Sequence, residues 1–424
     1  MAPVTIALVG GGNRGKVYTQ YAVEHPSLLQ VTAIAEVNSD TRAHLAQLHP
    51  AAQMYPGGWE ELLLGPGAEK RAAAIVISTQ DRMHVAPALA AIELGYHVLL
   101  EKPMAVDVDG CKQIAAAAKA KGVIFCVGHV LRYMPYSRAL KAMIDDGAVG
   151  KVVNVHHLEP VGWFHFAHSY VRGNWASEAE ASPVLLAKSC HDIDWLHWIV
   201  GQQCTAISSM GSLMHFNKES APSGAGDRCT DCSVEADCPY SAVKTYMGRV
   251  KAGDVGWPTN VITPHPTVET VQQALETGPY GRCVYKCDND VMDNQVVNMQ
   301  FANGATVAFT MCAFTQFENR KTSIHGTHGR IEGDGISFTL LDFATQKETT
   351  FHPNEEGGKW AVPKDTKIKG GGDYGLIKAF TAAVANDDPS LILSGPDETL
   401  QSHLLVFEAE KARKEKRVVT DFDF

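Results

Sequence analysis

The sequence predicts an α/β protein in two parts: a doubly wound parallel sheet at the N-terminus, then an α/β domain built on a large, open, mostly antiparallel sheet. Three observations predict it. Up to about residue 130, short apolar runs alternate with amphipathic segments of helical length, the pattern of a parallel sheet covered on both faces. Beyond that point the apolar runs lengthen, alternate in places and are joined by turns, as in an open antiparallel sheet. Finally, 424 residues are more than one hydrophobic core usually serves.

The elements follow in order. VTIALVG, from Val4, reads as a strand and GKVYTQYAVEH as a helix; LQVTAIAEV is a strand, DTRAHLAQLH a helix, AAIVIS a strand, HVAPALAAIELG a helix and YHVLLEKP a strand. The helix VDGCKQIAAAAKAKG and the strand VIFCVGHV bring the first sheet to roughly six strands, and this domain to residues 1–130. The second domain, 131–424, carries VVNVHHLEPV, TAISSMGSLMHF, VVNMQFANGATVAFTMCAF, TSIHGTHGRIEGDG and ISFTLLDFAT as strands. It closes on two helices, the second opening with acidic residues and ending in Lys and Arg as the helix dipole favours. A stretch rich in Cys, Pro and Gly, at about 217–288, does not fit the sheet pattern and reads as an insertion.

Lys and Arg number 37 against 47 Asp and Glu, a net charge of −10 that argues against nucleic acid or an anionic membrane as partner. No apolar run reaches the roughly 18 residues of a membrane span, and MAPVTIALVGGG enters a strand without a basic leader, so a cytoplasmic location is expected. In that setting the ten cysteines are reduced thiols: metal ligands, catalytic groups or packing.

Gly10, Gly12 and Gly15 form G-x-G-x-x-G directly after a strand and at the opening of a helix, with Asn13 and Arg14 inside the motif. The first glycine permits the tight turn, the second lets backbone amides approach a pyrophosphate, and the third lets helix pack on strand. Glu36 ends the next strand, where a carboxylate accepts the ribose hydroxyls and repels a 2′-phosphate, so a Rossmann domain binding NAD rather than NADP is expected.

ISTQDRMHVAPALAAIELGYHVLLEKPMAVD, together with this fingerprint, resembles the Gfo/Idh/MocA family of NAD(P)-dependent sugar and polyol oxidoreductases. The likeness extends through CVGHVLRYMP, CHDIDWLHWIVG and QSHLLVFEAEKARKEKR. It implies a substrate held between the open sheet and the nicotinamide, and a homodimer or homotetramer paired through that sheet. It also implies that Lys102 and Pro103 lie beside the nicotinamide, with Thr79, His84 and Glu101 near the cofactor. At the carboxyl edge of a parallel sheet, burial beside a positive nicotinamide favours a neutral amine, and Lys102 is the candidate to exchange a substrate hydroxyl proton.

In LLAKSCHDIDWLHW, read as one helix, Lys188, His191 and Trp195 share a face, and His191 is the second acid/base candidate. Relatives of this type carry Asp-x-x-x-His here; this chain has Ala187 in the aspartate's place, beside Lys188, which would donate to a ketone or enolate oxygen. The departure brings in a second reading. An NAD-dependent glycoside hydrolase would oxidise a ring hydroxyl, eliminate the aglycone, add water and return the hydride, with Lys102, His191, Lys188 and His157 moving protons. A bare NAD sensor has no use for the Lys102 and His191 pair.

HHLEPVGWFHFAHSYVRGNW combines aromatic faces with polar groups as sugar subsites do, which makes His157, Arg172, Asn174 and Trp175 candidate substrate residues, with Arg132 and Asp293 alongside. Cys229, Cys232, Cys238, Cys283 and Cys287 have spacings that suit a tetrahedral structural zinc holding together a stretch without a core of its own, Cys283 or Cys287 being the fourth ligand. An iron–sulfur cluster or unliganded thiols would accept the same residues.

Overall fold

The computed structural model describes residues 2–355, 357–368 and 371–422. The first sheet contains β1 (Val4–Val9), β2 (Leu29–Ala35), β3 (Gln53–Tyr55), β4 (Ala74–Ile77), β5 (His97–Leu100) and β6 (Phe125–Val127), in the order β3-β2-β1-β4-β5-β6. Every pairing is parallel. The central strands read as continuous apolar runs because both faces are covered: Ala7, Val9, Ile75 and Val98 enter one core, Ile6, Leu8, Val76 and Leu99 the other. The strand order reverses between β1 and β4, and there the strand ends open a crevice of the kind that holds ligands in such folds.

The second sheet has eight strands: β7 (Val152–Pro160), β8 (Cys204–Ser212), β9 (Asn294–Phe301), β10 (Thr306–Cys312), β11 (Lys321–Gly326), β12 (Gly329–Gly333), β13 (Phe338–Asp342) and β14 (Glu348–Phe351). They run in the order β14-β13-β12-β11-β7-β10-β9-β8. Only β7 and β10 are parallel neighbours among the described pairs. The helix Cys190–Val200 lies on this sheet through Ile193, Leu196 and Ile199.

Three details depart from the sequence reading. The edge strand β3 and the helix Trp59–Leu63 come from a stretch with no alternation to announce them. The segment from Leu185 is not one helix: Val184–Ala187 and Cys190–Val200 are separate, broken at Lys188 and Ser189, so Lys188 projects from the break. The insertion between β8 and β9 has a core of its own, with Ala242, Tyr246, Met247, Val271 and Leu275 packed together and Thr267 and Thr270 boxing the start of helix Val268–Thr277.

The final helices return to the N-terminal sheet. Gly371–Asn386 sets Ile377 and Phe380 against Leu8 and Leu99. Pro396–Glu415 buries Leu405, Val406 and Ala409 in the second core while Phe407 rests on the first. Among the described residues no helix is long and apolar enough to cross a membrane.

Candidate active site

The glycine loop is built by close approach. Gly10 has φ +83°, and a Cβ there would stand 2.7 Å from the Ser78 carbonyl oxygen; a Cβ on Gly15 would stand 2.3 Å from that of Gly10. A Cβ on Gly12 would meet nothing within 4 Å, and Gly12 starts helix Asn13–Glu24 with no side chain capping its amides. An uncapped helix N-terminus facing open space is an anion site. At the end of β2 the Glu36 carboxylate accepts from Gly11 N at 2.6 Å and from Asn38 N at 2.7 Å, which fixes it at the mouth of the loop. These residues fit a dinucleotide. Arg14 does not face the loop's open side: it is bound to Glu101, Tyr18 and Asp373.

At the end of β5, Glu101 is a hub. Burial alone would raise its carboxyl, but Arg14, then Lys102, and the bond from Tyr18 hold it below the usual range. Lys102 N also donates to Glu101 at 3.0 Å. His84, fully buried, places a ring nitrogen 2.7 Å from the Pro103 carbonyl and the other 3.2 Å from that of Thr79. Met104 N donates to His403 Nε2 at 2.9 Å. The loop after β5 is thus clamped from both sides, and Lys102 Nζ reaches across to the second domain, donating to the Ala187 carbonyl at 2.6 Å and standing 5.9 Å from the Trp175 ring centre. The Trp175 indole in turn donates to Asp81.

His191 follows one turn after that carbonyl. Burial, then the charge of Lys102, holds its ring well below the ordinary histidine range, so it is neutral near pH 7. Its neighbours form a charged cluster. Lys188 Nζ lies 3.2 Å from Glu159, and Arg320 Nε lies 2.8 Å from Glu159 and 2.6 Å from Asp192. His157 sets its Nε2 3.2 Å from Asp192 and its Nδ1 2.8 Å from the Thr322 hydroxyl. Burial opposes ionisation of Asp192, yet Arg320 and the His157 bond hold the carboxyl well below its usual value.

Lys102, Lys188, His191 and Trp175 therefore gather where the two domains face each other, while His157 is buried within the second domain, stacked on Trp195 and bound to Asp192. Asn174 precedes Trp175 in the same loop and is exposed. Arg132, Arg172 and Asp293 are drawn elsewhere. Arg132 forks Asp194 at 2.7 and 2.8 Å in the core; Arg172 donates to the Arg282 and Tyr240 carbonyls; Asp293 accepts from His215 N. Sequence reasoning passed over Glu159, Asp192 and Arg320. The signal for Glu159 was its i+2 relation to His157, which puts both on the buried face of β7. Arg320, just before β11, carries no local signal.

The zinc expectation lacks support. Cys229, Cys232, Cys238 and Cys283 line one cavity with Arg172, but among the described residues no three metal-ligating side chains converge on a point where an ion could sit. Arg172 stands among the thiols, donating to Cys229 Sγ at 3.4 Å, and Cys287 turns back to the Cys283 carbonyl. The insertion's apolar core already supplies the cohesion that a zinc ion was expected to give.

Comparison with known proteins agrees with the architecture. Residues 4–129 match the oxidoreductase family model for an NAD-binding Rossmann fold, and residues 141–420 match the C-terminal alpha/beta domain of the same family. The YteT protein of Bacillus subtilis is 26% identical over 321 residues, covering 72% of this chain and 71% of its own. Levoglucosan dehydrogenase of Pseudarthrobacter phenanthrenivorans is 25% identical over 340 residues, covering 78% of this chain and 73% of its own. The crystal structure of an oxidoreductase domain protein from Kribbella flavida superposes with a TM-score of 0.71 at 17% identity over 99% of both chains, a likeness of fold.

Proposed function

Because this chain belongs to the Gfo/Idh/MocA oxidoreductases, with their NAD-binding Rossmann domain, we propose that it moves a hydride between NAD and a ring carbon of a sugar or sugar derivative. The observation that carries the reading is the meeting of Lys102, from the end of β5, with the Ala187 carbonyl and His191 of the second domain. NAD, when bound, supplies the hydride acceptor or donor. The chain supplies the rest.

The uncapped helix after Gly12 takes the pyrophosphate and Glu36 the adenosine ribose, whose 2′-phosphorylated form its charge would repel. Lys102 exchanges the proton of the reacting hydroxyl, work worth about 10² to 10⁴ in rate. His191, kept neutral by burial, orients that hydroxyl by hydrogen bonding rather than by carrying charge. Lys188 donates to the same oxygen as it gains carbonyl character. Trp175 closes the cleft beside Lys102, offering an apolar face to a ring. The levoglucosan dehydrogenase among the relatives supports a sugar as substrate.

The test is a panel of sugars and glycosides incubated with NAD, following NADH and released aglycone together. NADH without cleavage is the expected result. Cleavage without net NADH would assign the redox-assisted hydrolase instead, and neither signal from any sugar would sink both readings.

A further inference from the structure

Lys188 and Arg320 come from separate elements, the break before helix Cys190–Val200 and the residue preceding β11, yet both turn to one carboxylate. Glu159 gives each of its oxygens to a different cation, and its side chain is 4% exposed. The two cations retain more contact with solvent, 17% for Lys188 and 22% for Arg320. The order is therefore fixed: carboxylates behind, donors in front. Asp192, fully buried, accepts the hydrogen bond of that same Arg320 Nε at 2.6 Å and is itself held by His157.

A carboxylate is costly to bury unless it is paired, and an unpaired lysine stem at a cleft mouth samples many rotamers. Pairing resolves both at once. The Arg320 Nε–H donates to Asp192, so Glu159 meets the two cations as an ion pair rather than through hydrogen bonds, its oxygens 3.2 Å from Lys188 Nζ and 2.8 Å from Arg320 Nε. We infer that Glu159 is the positioning residue that fixes Lys188 and Arg320 as paired donors to the substrate oxygen, doing from the sheet what a carboxylate on the helix cannot do where Ala187 stands. The inference rests on the proposed reading of the cleft as a sugar site.

The test uses Glu159→Gln, which keeps the shape and removes the charge, beside Glu159→Asp. The readout independent of turnover is acylation of Lys188 by an amine-reactive ester, followed by peptide mass spectrometry. Glu159→Gln should raise Lys188 labelling several-fold while the melting temperature stays within a few degrees, and Glu159→Asp should fall between. With the sugar the enzyme oxidises, Glu159→Gln should lower kcat/KM at least tenfold, and the alkaline limb of its pH profile should move to lower pH because a negative charge facing the protonated groups is gone. Unchanged Lys188 labelling in Glu159→Gln overturns the inference whether or not any sugar is turned over. So does a wild-type kcat/KM with a wild-type pH profile. Absence of turnover in the wild type, with labelling raised in the variant, would instead overturn the sugar reading and leave the positioning role standing.

Discussion

The loop Gly10–Gly15 and the cluster of Lys102, Lys188, Glu159, His191 and Arg320 lie at the ends of the two sheets, and they are made in opposite ways. The loop works through main chain: its function is an absence of side chains, enforced by a 2.3 Å approach at Gly15, and all its parts lie within about 30 residues of sequence. The cluster works through side chains from β5, β7, a helix break and the residue before β11, tied by charge. A main-chain site tolerates little change in residue size, whereas a side-chain network is sensitive to charge and can be rebuilt by exchanging which element carries a carboxylate.

That contrast can be broken at several strengths. Lys102→Met should lower turnover by about 10² to 10⁴ while NAD still binds; retained turnover would remove the chemistry from this cluster. Glu36→Ala should weaken NAD roughly 10- to 100-fold, the worth of a charged hydrogen bond, and narrow the preference over NADP, both read by fluorescence titration. Gly15→Ala pushes a methyl into backbone and should cost about 1 to 3 kcal/mol, visible in thermal melts as well as in NAD affinity; a stable variant with normal affinity would show that the loop has slack.

A further effect is one of pH, and it acts on stability rather than on NAD or turnover. His129, pushed down to about 4 by burial, stands beside His191, and His403, pushed down to about 3 by burial, stands beside His129; both are neutral in the folded protein. The unfolded chain binds protons at these positions from about pH 6.5 downward, so it takes up more protons than the native state. Stability should then fall as pH drops below 6.5, each histidine contributing at most about 1.4 kcal/mol per pH unit, until the native rings titrate. Melting temperatures flat from pH 7 to 5 would contradict this. Asp194 acts in another window: burial opposes its charge, Arg132 holds it at about 2, and its contribution disappears only below about pH 4.

The two regions also differ in what sequence could reveal. The glycines, Glu36 and the end of β5 were legible because strand, turn and helix are consecutive and the spacing itself carries the chemistry. The open sheet was legible from longer, alternating runs, though three-residue β3 was too short to register. Lys188 and His191 were legible as residues but not as geometry, since nothing in LLAKSCH marks the break that frees Lys188. Arg320 and Glu159 are 161 positions apart, and only sheet register places β7 beside β11. Arg132 and Arg172 were expected as substrate contacts, whereas Arg132 meets Asp194 and Arg172 the Tyr240 carbonyl, partners from distant stretches that no local pattern announces.

The clamp on the loop after β5 bears on how the molecule comes to exist. His403 completes that loop from 299 residues downstream, and the Ser394 carbonyl accepts from Val127 at the edge of the first sheet. On a ribosome, the N-terminal sheet can assemble early, but the lysine at its edge acquires its final surroundings only when the last helix leaves the exit tunnel. The loop that carries Lys102 therefore takes its final shape from a contact made 299 residues downstream, and not from the N-terminal sheet alone.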